Sequence, residues 1–70
     1  MDPLELRVIR TRERLTQTAL AAKIGRNQSY LSSLERGKIQ ATQDDLKKIA
    51  RALRVPVESL CGREVHNGNQ

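Results

Sequence analysis

The stretch TQTALAAKIGRNQSYLSSLERG contains two short helical patterns separated by a turn that holds a glycine. Each pattern carries one apolar stripe at helical spacing: Leu20, Ala21 and Ile24, then Leu31 and Leu34. Helices of this length are marginal in water by themselves, so each stripe must be buried against the rest of the chain. The turn is too short for an antiparallel pair. We therefore expect the two helices to cross steeply, as in a helix-turn-helix, with the small Ala21 where they come closest.

The flanking residues extend this into a pattern of five helices. Asp2-Pro3 is typical of a helix start, because Asp caps and Pro fits the first turn, and this helix is predicted to run to about Glu13. The predicted N-caps of the next three helices are Thr16, Asn27 and Thr42, and the predicted glycine stops are Gly25 and Gly37. Val57 to Leu60 can supply a last turn or two. No stretch alternates with period two for long enough to indicate a strand, so the prediction is all-α.

The length and the charge of the chain limit its possible structures and partners. Seventy residues make one small domain, predicted to span residues 1–61, with residues 62–70 as a flexible polar tail. The single Tyr and the lack of Phe and Trp require an aliphatic core. A formal net charge of +5 favours a polyanion such as nucleic acid or anionic lipid. With no membrane-length apolar run, no signal-peptide pattern and a lone Cys61, we expect a cytoplasmic protein.

No enzyme active site can be assembled from these residues. His66 is the single histidine and lies in the tail, so neither the serines of the third helix nor Cys61 has a partner base. Asp44 and Asp45 adjoin a predicted helix start at Thr42, where negative charge offsets the helix dipole. We interpret them as caps, with Thr42 and Asp45 approximating a capping box. No metal-ligand spacing or nucleotide-binding glycine loop is present, so neither cofactor nor metal is expected.

The motif and its flanks resemble the helix-turn-helix proteins of the lambda and 434 repressor/Cro class, the XRE family. The matching segments are LTQTALAAKIG, SYLSSLERGK, TQDDLKKIARAL and VPVESL, preceded by Leu6, Ile9 and Arg10, so the resemblance covers about residues 4–60. Arg14 stands where the family often has Gly, which predicts a slightly strained first turn, and Ala41 stands where Pro is common. The resemblance implies a compact five-helix repressor-type bundle, with its motif at about residues 17–36, that binds double-stranded DNA.

In this family the third helix, here about Gln28 to Arg36, enters the major groove with its N-terminal residues nearest the base edges. The predicted base-reading residues are short or neutral hydrogen-bonding side chains: Asn27, Gln28, Ser29, Ser32 and Ser33. Gln28 suits a bidentate contact with adenine, worth about 1–3 kcal/mol of discrimination. The alternative is that these residues form an ordinary solvated helix face.

Predicted contacts to the DNA backbone surround this helix: Gln17, Arg26, Tyr30, Arg36, Lys38 and Arg10. The resemblance implies that Gln17 clamps the backbone and braces Gln28. For Tyr30 the alternative is a half-buried packing role. Arg10 and Glu35 match family positions whose side chains pair, so a structural ion pair is expected, with the remaining guanidinium donors available to phosphate.

One recognition helix reads few base pairs, so such proteins usually bind as two-fold dimers on half-sites about 34 Å apart. The candidate dimer surface is Val57, Leu60 and Cys61, with Val65 beyond. The alternative is that Val57 and Leu60 close the monomer core against the first helix.

The leading hypothesis is a sequence-specific transcriptional regulator, a repressor or a restriction–modification controller, without an effector domain. It would bind a palindromic operator as a homodimer through the major groove. The alternative is an antitoxin-type protein-binding module of the same fold. A toxin and RNA polymerase are the candidate protein partners in addition to DNA and a second copy of the chain. Membrane-surface binding is not supported, because no helix combines a large apolar face with basic edges.

Overall fold

The computed structural model describes residues 2–61, with the backbone alone for Cys61, and is all-helical over that range. Its helices are α1 (Pro3–Arg12), α2 (Gln17–Lys23), α3 (Gln28–Glu35), α4 (Gln43–Leu53) and α5 (Val57–Cys61). No strand occurs between residues 2 and 61. The prediction of an all-α, five-helix repressor-type fold is therefore confirmed. The predicted polar tail, residues 62–70, lies outside the described residues.

The first four helices begin at the predicted side-chain caps. The Asp2 carboxylate accepts a hydrogen bond from the Leu4 backbone N–H at 3.0 Å. The side-chain oxygens of Thr16, Asn27 and Thr42 each accept from the backbone N–H three residues later, at 3.0, 3.0 and 3.1 Å. Each cap satisfies one N–H that the helix itself leaves free, which is why the chain enters its helices at these positions.

The helix ends use left-handed backbone conformations. Gly25 and Gly37, the predicted stops, have φ angles of 75° and 76°. Arg14 follows α1 with φ of 61°, which confirms the strain expected from an Arg at a position where the family often has Gly. Arg54 caps α4 with φ of 62°, a feature that the sequence pattern did not predict.

The apolar stripes of α2 and α3 are buried in one core. Its buried members are Leu6, Ile9, Leu20, Ala21, Ile24, Leu31, Leu34, Leu46, Ile49, Ala50, Leu53 and Leu60. All are aliphatic, as the composition requires. α1 packs against α3 and α5, and α2 packs against α3 and α4. The helix-turn-helix formed by α2 and α3 is thus held from both sides.

α5 closes the core against the start of α1. The Leu60 side chain is fully buried, and its carbonyl accepts a hydrogen bond from the Asp2 N–H at 2.9 Å. Leu60 therefore occupies the core of the single chain, which is the alternative role considered for it, and its side chain is not accessible to a second copy. Val57 is half-buried against the same core. The Cys61 side chain and Val65 lie outside the described residues.

Candidate nucleic-acid interface

α3 turns a polar face outward because its apolar face is anchored in the core. Leu31 and Leu34 are fully buried. The predicted base-reading side chains lie elsewhere on the helix and its cap: Gln28 and Ser29 are exposed, Ser32 and Ser33 are half-buried, and Asn27 is exposed at the N-cap. The Asn27 side-chain oxygen already accepts a hydrogen bond from the Tyr30 backbone N–H. The Asn27 NH₂ group still has both donors for a base or a phosphate.

Arg10 and Glu35 form the ion pair that the family resemblance implied. The Arg10 Nε donates to Glu35 Oε2 at 2.5 Å, and Nη2 donates to Oε1 at 3.1 Å. Arg10 Nη1 also donates to the Leu15 carbonyl at 2.6 Å. The two charged side chains are 12% and 5% exposed, so this bidentate pair is a largely buried link between α1 and the end of α3. Three of the five guanidinium N–H groups are used and two remain.

The ion pair continues into two glutamine amides. Gln17 Nε2 donates to Glu35 Oε1 at 3.0 Å, and Gln28 Nε2 donates to Gln17 Oε1 at 2.6 Å. The structure therefore joins Gln17 to Gln28, the contact that the resemblance implied as a brace. Gln28 keeps its carbonyl oxygen and one N–H for another partner.

These residues line one groove across α1, α2 and α3. Its lining consists of Arg7, Arg10, Gln17, Gln28, Ser32, Glu35 and Arg36. Three guanidinium groups face a single carboxylate there, so the groove suits an anionic ligand. Arg7 is not among the predicted DNA contacts, yet it lines this groove. Its position three residues before Arg10, one helical turn away, was the signal that could have placed it here.

Arg26 and Tyr30, two predicted backbone contacts, lie in a different cluster, around Asp45. Arg26 Nη2 donates to Asp45 Oδ2 at 2.8 Å, and the Tyr30 hydroxyl donates to the same oxygen at 2.6 Å. The Arg26 guanidinium stacks 4.6 Å from the Tyr30 ring centroid. Tyr30 is half-buried against the core. Arg26 remains 46% exposed, so its other donors are still available to a phosphate.

The interpretation of Asp45 as a helix cap was wrong for its carboxylate. Its backbone N–H does donate to the Thr42 hydroxyl, as in a capping box. The carboxylate, however, is buried and holds Arg26 and Tyr30. Asp45 precedes Ile49 by one helical turn on the core-facing side of α4, and this was the available sequence signal. Asp44 is exposed and pairs with Lys48 at 3.3 Å.

The Asp45 cluster shifts two pKa values. The Tyr30 hydroxyl and then the Arg26 guanidinium favour the charged carboxylate, so the pKa of Asp45 lies below its usual value despite burial. Burial, followed by the hydrogen bond to Asp45, raises the pKa of Tyr30 to about 12. At neutral pH the cluster therefore holds an ionised Asp45 and a protonated Tyr30, which ties α4 to the start of α3.

The remaining predicted contacts follow α3. Arg36 and Lys38 are exposed, and their backbone N–H groups donate to the Ser32 and Ser33 carbonyls at 3.0 Å each. Within residues 2–61, no helix has the length and apolarity to cross a membrane. No group of three potential metal ligands occurs in that same range.

Comparison with known proteins identifies the family of the chain. The sequence model of a helix-turn-helix family matches residues 6–60. The chain is 34% identical over 59 residues to the immunity repressor protein of Bacillus phage phi105, covering 84% of this chain and 41% of that protein. It therefore spans less than half the length of this relative.

Two solved structures have a similar fold. The restriction-modification controller protein C.AhdI from Aeromonas hydrophila superposes with a TM-score of 0.79 at 33% identity, covering 83% of this chain and 88% of that one. The N-terminal DNA-binding domain of SinR from Bacillus subtilis gives a TM-score of 0.72 at 31% identity, covering 86% and 88%. This chain belongs to the XRE-type helix-turn-helix family of DNA-binding transcriptional regulators.

Proposed function

We propose that this regulator is sequence-specific and binds a palindromic operator as a dimer, with α3 in the major groove. The observation that carries the proposal is the outward polar face of α3, on which Gln28 is held by Gln17. Base reading is assigned to Asn27, Gln28, Ser29, Ser32 and Ser33. A helix docked by a buried apolar face and presenting pre-positioned amide and hydroxyl groups is suited to donors and acceptors on base edges.

Backbone contacts are assigned to the cationic, amide and phenol groups around α3: Arg10, Gln17, Arg26, Tyr30, Arg36 and Lys38. Arg7 joins them because it lines the same groove. Arg10 has two free N–H groups and Gln17 has one after their internal hydrogen bonds are counted. Tyr30 donates its hydroxyl hydrogen to Asp45, so its contact with phosphate would be through its ring edge or a water.

The proposed dimer surface changes in composition because Leu60 is buried within the single chain. It retains Val57 and Cys61 on α5. Leu4 and Val8 extend it, since they are exposed apolar side chains one turn apart on α1, the helix that packs against α5. A two-fold dimer would bury these side chains and repeat α3 at two half-sites.

The similar proteins support a regulator over the alternative of an antitoxin-type module. One is named an immunity repressor and another a restriction-modification controller. Neither name describes a toxin partner, so the antitoxin alternative is not favoured. Occupancy of an operator that overlaps a promoter is sufficient for repression.

In-vitro selection from a random duplex library at near-physiological salt tests this proposal. The expected result is an inverted repeat with a constant half-site spacing close to one helical turn of DNA. Sedimentation with and without the selected duplex would then report two chains per operator. Retention of DNA without an enriched motif would reject sequence-specific reading, and one chain per selected site would reject the dimer.

A further inference from the structure

We propose that Glu35 is a positioning residue for base reading: acting through Gln17, it determines how the oxygen and NH₂ ends of the Gln28 amide are arranged toward the DNA. The inference rests on the proposed function, since it concerns how α3 reads a base. It gives the Arg10–Glu35 ion pair a role in specificity in addition to its role in holding α1 to α3.

The argument begins with the polarity of the hydrogen bonds. An ionised carboxylate only accepts, so Gln17 must turn its NH₂ group toward Glu35 and its carbonyl oxygen away. That carbonyl oxygen also only accepts, so Gln28 must turn its own NH₂ group toward Gln17. The observed contacts follow this order, at 3.0 Å and then 2.6 Å. The negative charge at Glu35 thus orients two amides whose oxygen and nitrogen ends have nearly the same shape.

Glu35 is itself held in place. Its carboxylate accepts two hydrogen bonds from Arg10 and its side chain is 5% exposed, so it cannot turn toward solvent without breaking the bidentate pair. Arg10 is tied in turn to the Leu15 carbonyl. The origin of the relay is therefore rigid, while its far end, Gln28, is exposed at the groove.

The fixed orientation has a consequence at the base edge. Gln28 presents a carbonyl oxygen beside one remaining N–H, the pair of groups that adenine N6–H and N7 require. Guanine places the acceptor O6 where adenine has the donor N6, so the oriented amide would set two acceptors against each other. An amide released from Gln17 could instead place both N–H groups of its NH₂ toward O6 and N7, which both accept. The relay therefore favours adenine and excludes guanine at the position that Gln28 reads.

The test compares binding to two duplexes that differ only by adenine or guanine at the Gln28 position of the selected operator. The Kd for the guanine duplex should exceed the Kd for the adenine duplex by roughly tenfold or more for the unaltered chain. Glu35→Gln, which is nearly isosteric but can accept or donate, should reduce this ratio to roughly threefold or less. Preferences at the other operator positions should stay unchanged.

Two further variants separate the relay from a loss of folding. Gln17→Ala keeps the Arg10–Glu35 pair and interrupts the relay, so it should lower the same ratio even if Glu35→Gln folds poorly. Gln28→Ala should remove the preference for adenine over guanine. Adding Glu35→Gln to this variant should then leave the ratio unchanged. Ile49→Val, a core truncation on α4, is the matched control: it lowers stability without touching the relay and should leave the ratio as it was.

Nuclear magnetic resonance of the Gln side-chain amides in the free protein provides a readout without DNA. Glu35→Gln should shift the Gln28 NH₂ resonances although the two residues are not in direct contact. An unchanged Kd ratio in both Glu35→Gln and Gln17→Ala, with the operator still selected, would overturn the relay and leave the proposed function standing. An unaltered chain that selects no motif would reject the proposed function, and with it any part for Glu35 in reading.

Discussion

Asp45 shows at the scale of one residue how this small core accommodates a charge. Asp45 is 2% exposed, and its carboxylate is withdrawn from solvent in the same way as that of Glu35. Burying a carboxylate is costly unless it is paired and hydrogen-bonded, and Arg26 and Tyr30 supply both kinds of contact. The cluster joins the turn before α3, α3 itself and α4. A single side chain therefore helps to set how α3 sits on the domain.

Asp45→Asn should lower the free energy of unfolding at neutral pH by about 1–3 kcal/mol, because it removes the charge that Arg26 and Tyr30 were arranged to meet. The pKa of Asp45 is lower in the folded chain than in the unfolded one. Its stabilisation is therefore present above about pH 4 and is lost as the pH falls through the folded value. Urea unfolding should be measured from neutral to acidic pH. As the pH falls, the free energy of unfolding should decrease less in Asp45→Asn than in the unaltered chain.

Tyr30→Phe is the companion variant, since it removes the hydroxyl hydrogen bond and keeps the Arg26–Asp45 pair. It should lower the free energy of unfolding by about 1 kcal/mol. Part of the decrease in stability at acidic pH should remain, because Asp45 keeps its charge and its Arg26 partner. If the free energy of unfolding decreases equally with acid in Asp45→Asn and in the unaltered chain, other carboxylates govern acid unfolding.

Tyr30 offers a direct optical test of the same cluster, because the chain has one Tyr and no Trp. Its raised pKa, about 12, means that it stabilises the fold fully below its unfolded pKa near 10 and that this contribution is lost as the pH rises through about 12. Tyrosinate absorbance should therefore titrate above pH 10. Asp45→Asn should move the midpoint only part of the way down, since burial is the larger cause. A midpoint at the ordinary value would refute the contact.

Each helix boundary depends on two local effects: side-chain capping stabilises the start of a helix, and a left-handed residue other than glycine at its end adds backbone strain. Caps at Asp2, Thr16, Asn27 and Thr42 could be predicted from the sequence because a cap needs only its own three following residues. The left-handed turn at Arg54 could not. Its side chain has no intrinsic preference for that conformation, and α4 and α5 packing on one core imposes it.

Arg14→Gly should stabilise the domain by about 0.5–1 kcal/mol. Relief of the left-handed conformation, roughly 1–2 kcal/mol, exceeds the extra entropy that glycine has in the unfolded chain. Arg12→Gly is the matched control, because it removes the same exposed charge from within α1 and should cost about 1 kcal/mol. Denaturant midpoints measure both. A loss of stability in both variants would mean that Arg14 makes a contact that outweighs its strain.

For the whole molecule, the formal net charge of +5 and the three guanidinium groups of the groove act together on a polyanion. Charge by itself would attract nucleic acid without choosing a face. The fold makes the choice, because it sets Arg7, Arg10 and Arg36 beside the polar residues of α3. Long-range attraction and the proposed base reading thus share one surface.

Affinity for the selected operator should fall steeply with salt, with a slope of log K against log salt of about 0.9 per phosphate contact. Arg36→Gln should reduce the slope by about one contact. Arg51→Gln removes an equal charge from the exposed side of α4, away from the groove, and should leave the slope almost unchanged. Equal effects of the two substitutions would indicate binding through net charge, without a defined contact surface.

The sequence by itself determined the helices, their caps, the two apolar stripes and the family, because these depend on spacing within a few residues or on matched motifs. It also indicated Gln28 and Gln17 through the resemblance. Tertiary structure decided the partners of Asp45, the burial of Leu60 and the direction of each amide between Glu35 and Gln28. Those contacts join residues 11 to 19 positions apart, or join α5 to the start of α1. Local spacing does not encode them, since they form only when packing brings separate helices within hydrogen-bonding distance.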